Sequence, residues 1–293
     1  MIPGARDLAA ALEATPYASR LGLSAGDILG DAASASVSYE PSLANAQGFV
    51  HGGVAASLAM WSATIVAAAS DRERIVQVRP VSIGISYLWA AREESLHAAA
   101  RVSSRGRDLV HVEVEVASDS GRVVALALVV LRTLPGREPA RDGKVFPAES
   151  TTPQDELRLL SPFNRAMGAE LRPGGSGPDV TLAMRRDVNA GLAGAVDAGA
   201  LLALADTCAA LACLPNLDER RSGSATLSLS AVFGADLFSP VLAVGRPVTE
   251  DGGVRSAAIE IRADAPARPA RMPSMTSCVS YRFRSAEVPR GGV

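Results

Sequence analysis

Two long apolar helices, each entered through a glycine-containing loop and each followed by four strand-like runs, recur at an offset of 146 residues (51 to 197) in a chain of 293. The first helix follows His51-Gly52-Gly53 and runs to Ala69; the second follows Asp197-Ala198-Gly199. Behind the first come Ile75 to Trp89, Ser95 to Ser103, Leu109 to Ala117 and, past an Asp119-Ser120-Gly121 turn, Arg122 to Leu131. Behind the second come Ala225 to Phe233, Val241 to Thr249, Val254 to Ala263 and Met275 to Phe283. Smaller features agree: Met1 to Ala14 reads as a helical lead-in, Ala33 to Tyr39 as a strand, Pro162-Phe163 as the start of a short helix, Gly174 to Gly177 as a turn and Asp179 to Arg185 as a strand. Such self-similarity is the mark of an internal duplication. The proline, glycine and charge between Pro135 and Pro153 read as the linker, so residues 1–134 form one expected half and 154–293 the other. Each half is expected to be α+β, a helix of about four turns or more wrapped by a predominantly antiparallel sheet.

Composition narrows the function classes. An apolar content of 48% fits a globular chain, and a formal charge of −2 gives no general attraction to nucleic acid or anionic lipid. Cys208, Cys213 and Cys278 show no paired or metal-ligand spacing, and His51, His97 and His111 do not cluster with them. No metal and no separate cofactor are therefore expected, and a reducing compartment is. Asp7 and the lack of an apolar core behind a basic start argue against a secretory signal, so the expected location is cytoplasmic. Val54 to Ala69 carries Ser57, Ser62 and Thr64 in 16 residues, too short and polar for a bilayer span.

The chemistry is concentrated at the helix entries. Gly52 and Gly53 lack Cβ atoms, which lets a ligand approach backbone N–H groups at the positive end of a helix dipole. A carbonyl oxygen gaining charge is stabilised at such a place; close packing at a glycine-rich helix start is the plainer alternative. In the second helix, Asp206 is a carboxylate with apolar neighbours on both sides, costly to bury unless paired or used. It lies roughly 13 Å along its own helix from the start, too far to act there, but within reach of the other half's entry if the helices lie side by side. Its duplicate is Met60, which is no base. Asp197, as an N-cap, would occupy the second entry's N–H groups and repel an oxyanion. The intact pieces thus combine crosswise into one live site, and the others into one retired site.

An Asn45 six positions before His51-Gly52-Gly53, with an acid nine positions after the first residue of the second entry, resembles the hotdog-fold acyl-CoA thioesterases of the phenylacetate-pathway type. The duplication and the Asp206, then Thr226-Leu227-Ser228-Leu229-Ser230, resemble the double-hotdog acyl-CoA thioesterase II group over about Pro16 to Phe283. That resemblance implies a tandem hotdog that hydrolyses an acyl-CoA to acid and free CoA. It implies that the Gly52 amide polarises the thioester carbonyl, Asn45 and His51 support that loop, Asp206 is base or nucleophile and Thr226 orients water. The glutamine those enzymes carry on the last strand has no clear counterpart; Ser277 is the nearest candidate. Gly53 is expected beside the coenzyme, and Arg105 and Arg107, flanking Gly106 in an inter-strand turn, are its expected phosphate contacts, although ordinary solvated charges fit as well. The only partner expected is the acyl-CoA substrate, apart from a homodimer of double-hotdog chains. Two rivals remain: a hotdog hydratase or dehydratase, for which His51 would have to be the base, and a non-catalytic acyl-CoA-binding protein. Trp61 and Trp89 are expected in the core or an interface, and His111, alternating with Glu113 and Glu115, on a solvent face.

Overall fold

The computed structural model describes residues 3–70, 76–135, 161–172, 180–214, 224–264 and 275–282. All but the first residue of the expected linker, and the Gly174 to Gly177 turn, lie outside them. Twelve antiparallel strands form one continuous sheet, in the order β1 (Leu23–Leu29), β2 (Ala32–Val37), β4 (Leu96–Arg105), β5 (Leu109–Ser118), β6 (Val123–Pro135), β3 (Val76–Tyr87), β9 (Ala225–Phe233), β12 (Met275–Arg282), β11 (Val254–Ala263), β10 (Val241–Asp251), β8 (Val180–Met184) and β7 (Ala169–Arg172). Read outward from the β3–β9 seam, the two halves have the same order of strands. At the seam itself Gly84 pairs with Ser230, the residue that duplicates it, so the pseudo-twofold axis passes between them.

Two helices fill the concave side, α3 (Gly52–Ala69) and α5 (Ala198–Cys213). Both are apolar around nearly the whole circumference, which leaves each needing cover on every side. Each gets it from its own half's strands and from the other helix. By length and composition α3 passes for a membrane span, but it is the buried core helix of its half. The two helices run antiparallel and touch where side chains are small. A Cβ on Gly53 would lie 2.5 Å from the Ala203 Cβ, and one on Gly199 would lie 2.6 Å from the Ser57 hydroxyl. Glycine at these two positions is what allows the backbones to come so close.

The halves also interlock through short helices. Helix α2 (Pro16–Leu21), after α1 (Pro3–Glu13), is capped by Thr15, and helix α4 (Pro162–Ala166) is capped by Ser161. The amide of Tyr17 in α2 donates to Ala190 O in the second half's entry loop at 3.3 Å, and the amide of Phe163 in α4 donates to Ala44 O in the first half's loop at 3.1 Å. Each entry loop is therefore braced by the opposite half. The two outermost strands were not among the sequence expectations. In β1 a bulge between Ala25 and Ile28 breaks the alternation that a half-buried strand shows, and β7 is four residues long.

The helix contact makes a sign prediction. Alanine for glycine inside a helix ordinarily gains up to about 1 kcal/mol, whereas a methyl forced against backbone atoms costs about 1–3 kcal/mol. Gly53→Ala is expected to lower the stability seen in denaturant-induced unfolding; a rise in midpoint at unchanged slope would show that the helices are not in tight contact there.

Candidate active site

The entry to α3 is built by its own loop. Asn45 Oδ1 accepts from the amides of Gln47 at 2.9 Å and Phe49 at 3.1 Å, and the loop closes through Asn45 N to Phe49 O at 2.7 Å. Asn45 is thus spent on shaping the loop. His51 is the N-cap of α3: its Nδ1 accepts from the Gly53 amide at 3.0 Å. Its Nε2 lies 3.3 Å from Thr207 Oγ1, and that hydroxyl lies 2.7 Å from Asn164 Oδ1. Phe163 stacks on the ring at a centroid distance of 4.5 Å. An Nδ1 that accepts leaves the proton on Nε2, so these contacts assign the tautomer. Burial pushes the imidazole pKa down, against an opposing pull from Asp206, and the ring is neutral.

The Gly53 amide is taken by this cap, and the Gly53 Cα faces α5. The expectation that Gly53 meets the coenzyme is therefore corrected; it is a packing residue. The preceding amide, that of Gly52, has no hydrogen-bond partner among the described residues. Beside it stands Asp206, 3% exposed, from the middle of the antiparallel α5. A Cβ on Gly52 would lie 2.9 Å from Asp206 Oδ2. The other oxygen, Oδ1, accepts from Thr226 Oγ1 at 2.9 Å and from the Tyr281 hydroxyl, which is also 2.5 Å from Asp206 O. No hydrogen bond to Oδ2 occurs among the described residues; its near neighbour is His51 Nδ1 at 3.5 Å, already engaged as an acceptor. Tyr87 closes the side, its hydroxyl donating to Gly52 O at 3.2 Å. Burial and then the Asp206 charge push the pKa of Tyr87 and of Tyr281 well above the ordinary phenol value, so both stay protonated donors.

Asn45, His51, Gly52, Asp206 and Thr226 thus converge from both halves. Tyr87, Tyr281, Thr207, Asn164 and Phe163 join them without having been read from the sequence. Tyr281, on the last strand, pairs across the sheet with Thr226. Ser277, the candidate for the glutamine's place, is four residues before Tyr281, about 13 Å along the strand: it is buried, its hydroxyl has no partner among the described residues, and it lies between Ala231 and Ile259. Arg105 is also elsewhere. It donates to Ala67 O at 2.9 Å at the opposite end of α3, about 23 Å from Gly52 at helical rise, with exposed Arg107 in the turn beyond it. Those two arginines are not brought to the site.

The second entry has the same backbone and different chemistry. Asp197 N-caps α5, accepting from the Gly199 amide at 2.7 Å with Oδ1 and from Trp61 Nε1 at 3.2 Å with Oδ2. Trp61, rather than its neighbour Met60, is what faces the acid. A Cβ on Gly191, the duplicate of Asn45, would lie 2.8 Å from Asp197 Oδ2. A cavity of about 440 Å³ opens beside this second entry, between Thr15, Gly191, Ala193 and Phe238. Its size is no argument for catalysis, since the acid of this entry, Asp197, is spent as the helix cap and on Trp61.

Burial pushes the Asp197 carboxyl up to about 6, against hydrogen bonds that favour the charged form. With the folded value above the unfolded one, ionised Asp197 costs the folded state. The cost is full above pH 6 and fades as pH falls toward 4. Asp197→Asn keeps a capping side chain and removes the charge. It is expected to exceed wild type in stability by up to roughly 3 kcal/mol above pH 7, with the gap closing by pH 4 in unfolding measured across that range. A gap independent of pH would remove the charge as its cause.

Residues 40–132 match the sequence model of the acyl-CoA thioesterase N-terminal domain. No curated protein matches the chain. Among solved structures, the chain is similar to a candidate thioesterase from Novosphingobium aromaticivorans (TM-score 0.61, 21% identity, covering 90% of this chain and 99% of that one). It is similar to the tesB protein of Mycobacterium avium subs paratuberculosis (0.60, 14%, 96% and 100%) and to a hot dog fold protein from Alicyclobacillus acidocaldarius (0.59, 18%, 89% and 96%). These likenesses establish the fold, a double hotdog, and the family match is confined to residues 40–132 of the first half.

Proposed function

We propose that this chain hydrolyses acyl-CoA thioesters at one composite site, the α3 entry of the first half facing Asp206 of the second. The observation that carries the reading is an unpartnered Gly52 amide at a helix N-terminus beside a buried carboxylate whose Oδ2 is left open by Thr226 and Tyr281. The amide would bind the thioester oxygen and stabilise the oxyanion as the carbonyl carbon is attacked. As a general base, Asp206 Oδ2 takes a proton from water while the water oxygen bonds to the carbonyl carbon; collapse breaks C–S, and the thiolate leaves to be protonated. As a nucleophile, Oδ2 bonds to that carbon, the C–S bond breaks, and water hydrolyses the resulting anhydride. Thr226 and Tyr281 aim the carboxylate in either route, and His51 and Asn45 hold the amide in place. Label found in Asp206 after a single turnover in ¹⁸O-water establishes the nucleophilic route, with water attacking the anhydride at the Asp206 carboxyl carbon.

The hydratase reading loses support because both His51 ring nitrogens are engaged in holding the loop. The three cysteines are free, which agrees with a reducing compartment such as the cytoplasm.

Asp206→Asn is expected to cut thioester hydrolysis by roughly 10²-fold or more while acyl-CoA binding largely survives. Thermal stability should hold or rise, since a buried charge is removed. The assay is free-thiol release with a panel of acyl-CoAs, with the melting temperature taken on the same sample. Wild-type turnover in the variant ends the catalytic claim. Gly52→Pro, which removes the amide, is expected to be inactive in the same assay.

A further inference from the structure

The segment that leaves β3 at Tyr87 goes straight from the site to the surface and carries Leu88 and Trp89, 56% and 49% exposed. Of the two places expected for Trp89, core or interface, its exposure rules out the core. Its ring lies under the Arg122 guanidinium, 4.2 Å from Cζ to the centroid. Three residues on, Arg92 lies over the Phe49 ring at 4.3 Å and donates to Gln47 O at 3.3 Å. Ala91 O accepts from the Val50 amide at 2.9 Å, which fastens this segment to the loop holding His51 and Gly52. Two cation-on-aromatic pairs therefore flank the site on one lip. Neither Arg92 nor Arg122 is paired with a carboxylate among the described residues. Of the nearby acids, Glu94 accepts from the Ser120 amide and Asp119 bonds His97 and the Ser95 amide, while exposed Glu93 makes no ion pair among the described residues.

The retired half supplies an internal control. Its equivalent bond, Val196 N to Leu237 O at 2.7 Å, shows that Ala195 and Phe238 occupy the positions of Phe49 and Arg92. The cation and its aromatic support are present beside the live entry and absent at the same backbone positions of the other.

Resting on the thioesterase reading, we infer that this lip seats the nucleotide end of the coenzyme, with the adenine on Trp89 and the phosphates between Arg122 and Arg92. Stacking and charge-assisted hydrogen bonds are what an adenosine bisphosphate offers such a surface. The pantetheine arm then runs inward past Tyr87 to the Gly52 amide.

The test compares acyl-CoA with the same acyl group on N-acetylcysteamine, which has the thioester and no nucleotide. In Trp89→Ala/Arg122→Gln and in Arg92→Gln, the preference for acyl-CoA, as a ratio of kcat/KM values, is expected to fall about tenfold through KM. Wild-type binding of CoA in calorimetry should exceed that of dephospho-CoA, and the difference should shrink in both variants. An unchanged ratio together with an unchanged CoA preference overturns the lip. If wild type hydrolyses neither thioester, the proposed activity fails, while the calorimetric comparison still decides the lip. Both variants change exposed side chains, and a melting temperature equal to wild type excludes misfolding as the cause.

Discussion

The contact between α3 and α5 is the constraint on which the rest depends. Two helices that are apolar on all faces must find cover, and glycines at 53 and 199 let them approach closely enough to cover each other. Because they run antiparallel, the start of each lies beside the later turns of the other. Asp206, two turns along α5, is thereby delivered to Gly52, and Trp61 on α3 to Asp197. A carboxylate that cannot reach its own helix start is placed at another's, and the continuous sheet through the Gly84–Ser230 pair holds the two halves in that relation.

The same geometry arises twice, and electrostatics separates the outcomes. A neutral imidazole caps α3 through one nitrogen and leaves the positive end of the helix available to an anion. A carboxylate caps α5, and its own charge occupies that end. Duplicated scaffolds keep their backbone bonds, as Asn45 N to Phe49 O and Gly191 N to Ala195 O show, both at 2.7 Å. Side chains are free to diverge once one site suffices. The divergence is coherent: the entry capped by a neutral ring also has the facing acid, the two tyrosines and the arginine-topped aromatic lip, and the other, capped by a carboxylate, has Trp61 packed into its place.

Residues buried at cost mark the live entry. Asp206 would be hard to justify in an apolar core without its three hydroxyl and amide neighbours, and His51 is held neutral by being buried and bonded at both nitrogens. The network spans both halves, since Phe163, Asn164 and Thr207 in the second half hold a ring in the first. Loss of either half removes the site as well as half the core.

The sequence alone determined the duplication, the helix entries, the strand runs after them and the crosswise logic that pairs Gly52 with Asp206, because these depend on local spacing and on the inequality of Asp206 with Met60 and of His51 with Asp197. Tertiary structure alone decided that Tyr281, not Ser277, stands opposite Thr226, because which residues share a cross-strand pair is set by register and by the bulge beside Ser280, neither of which is local. It decided that Gly53 serves packing, because the partner is Ala203 on a helix 150 residues away in the chain. It placed Arg105 at the end of α3 away from Gly52, because a charged turn carries no sign of which end of a helix it will cover.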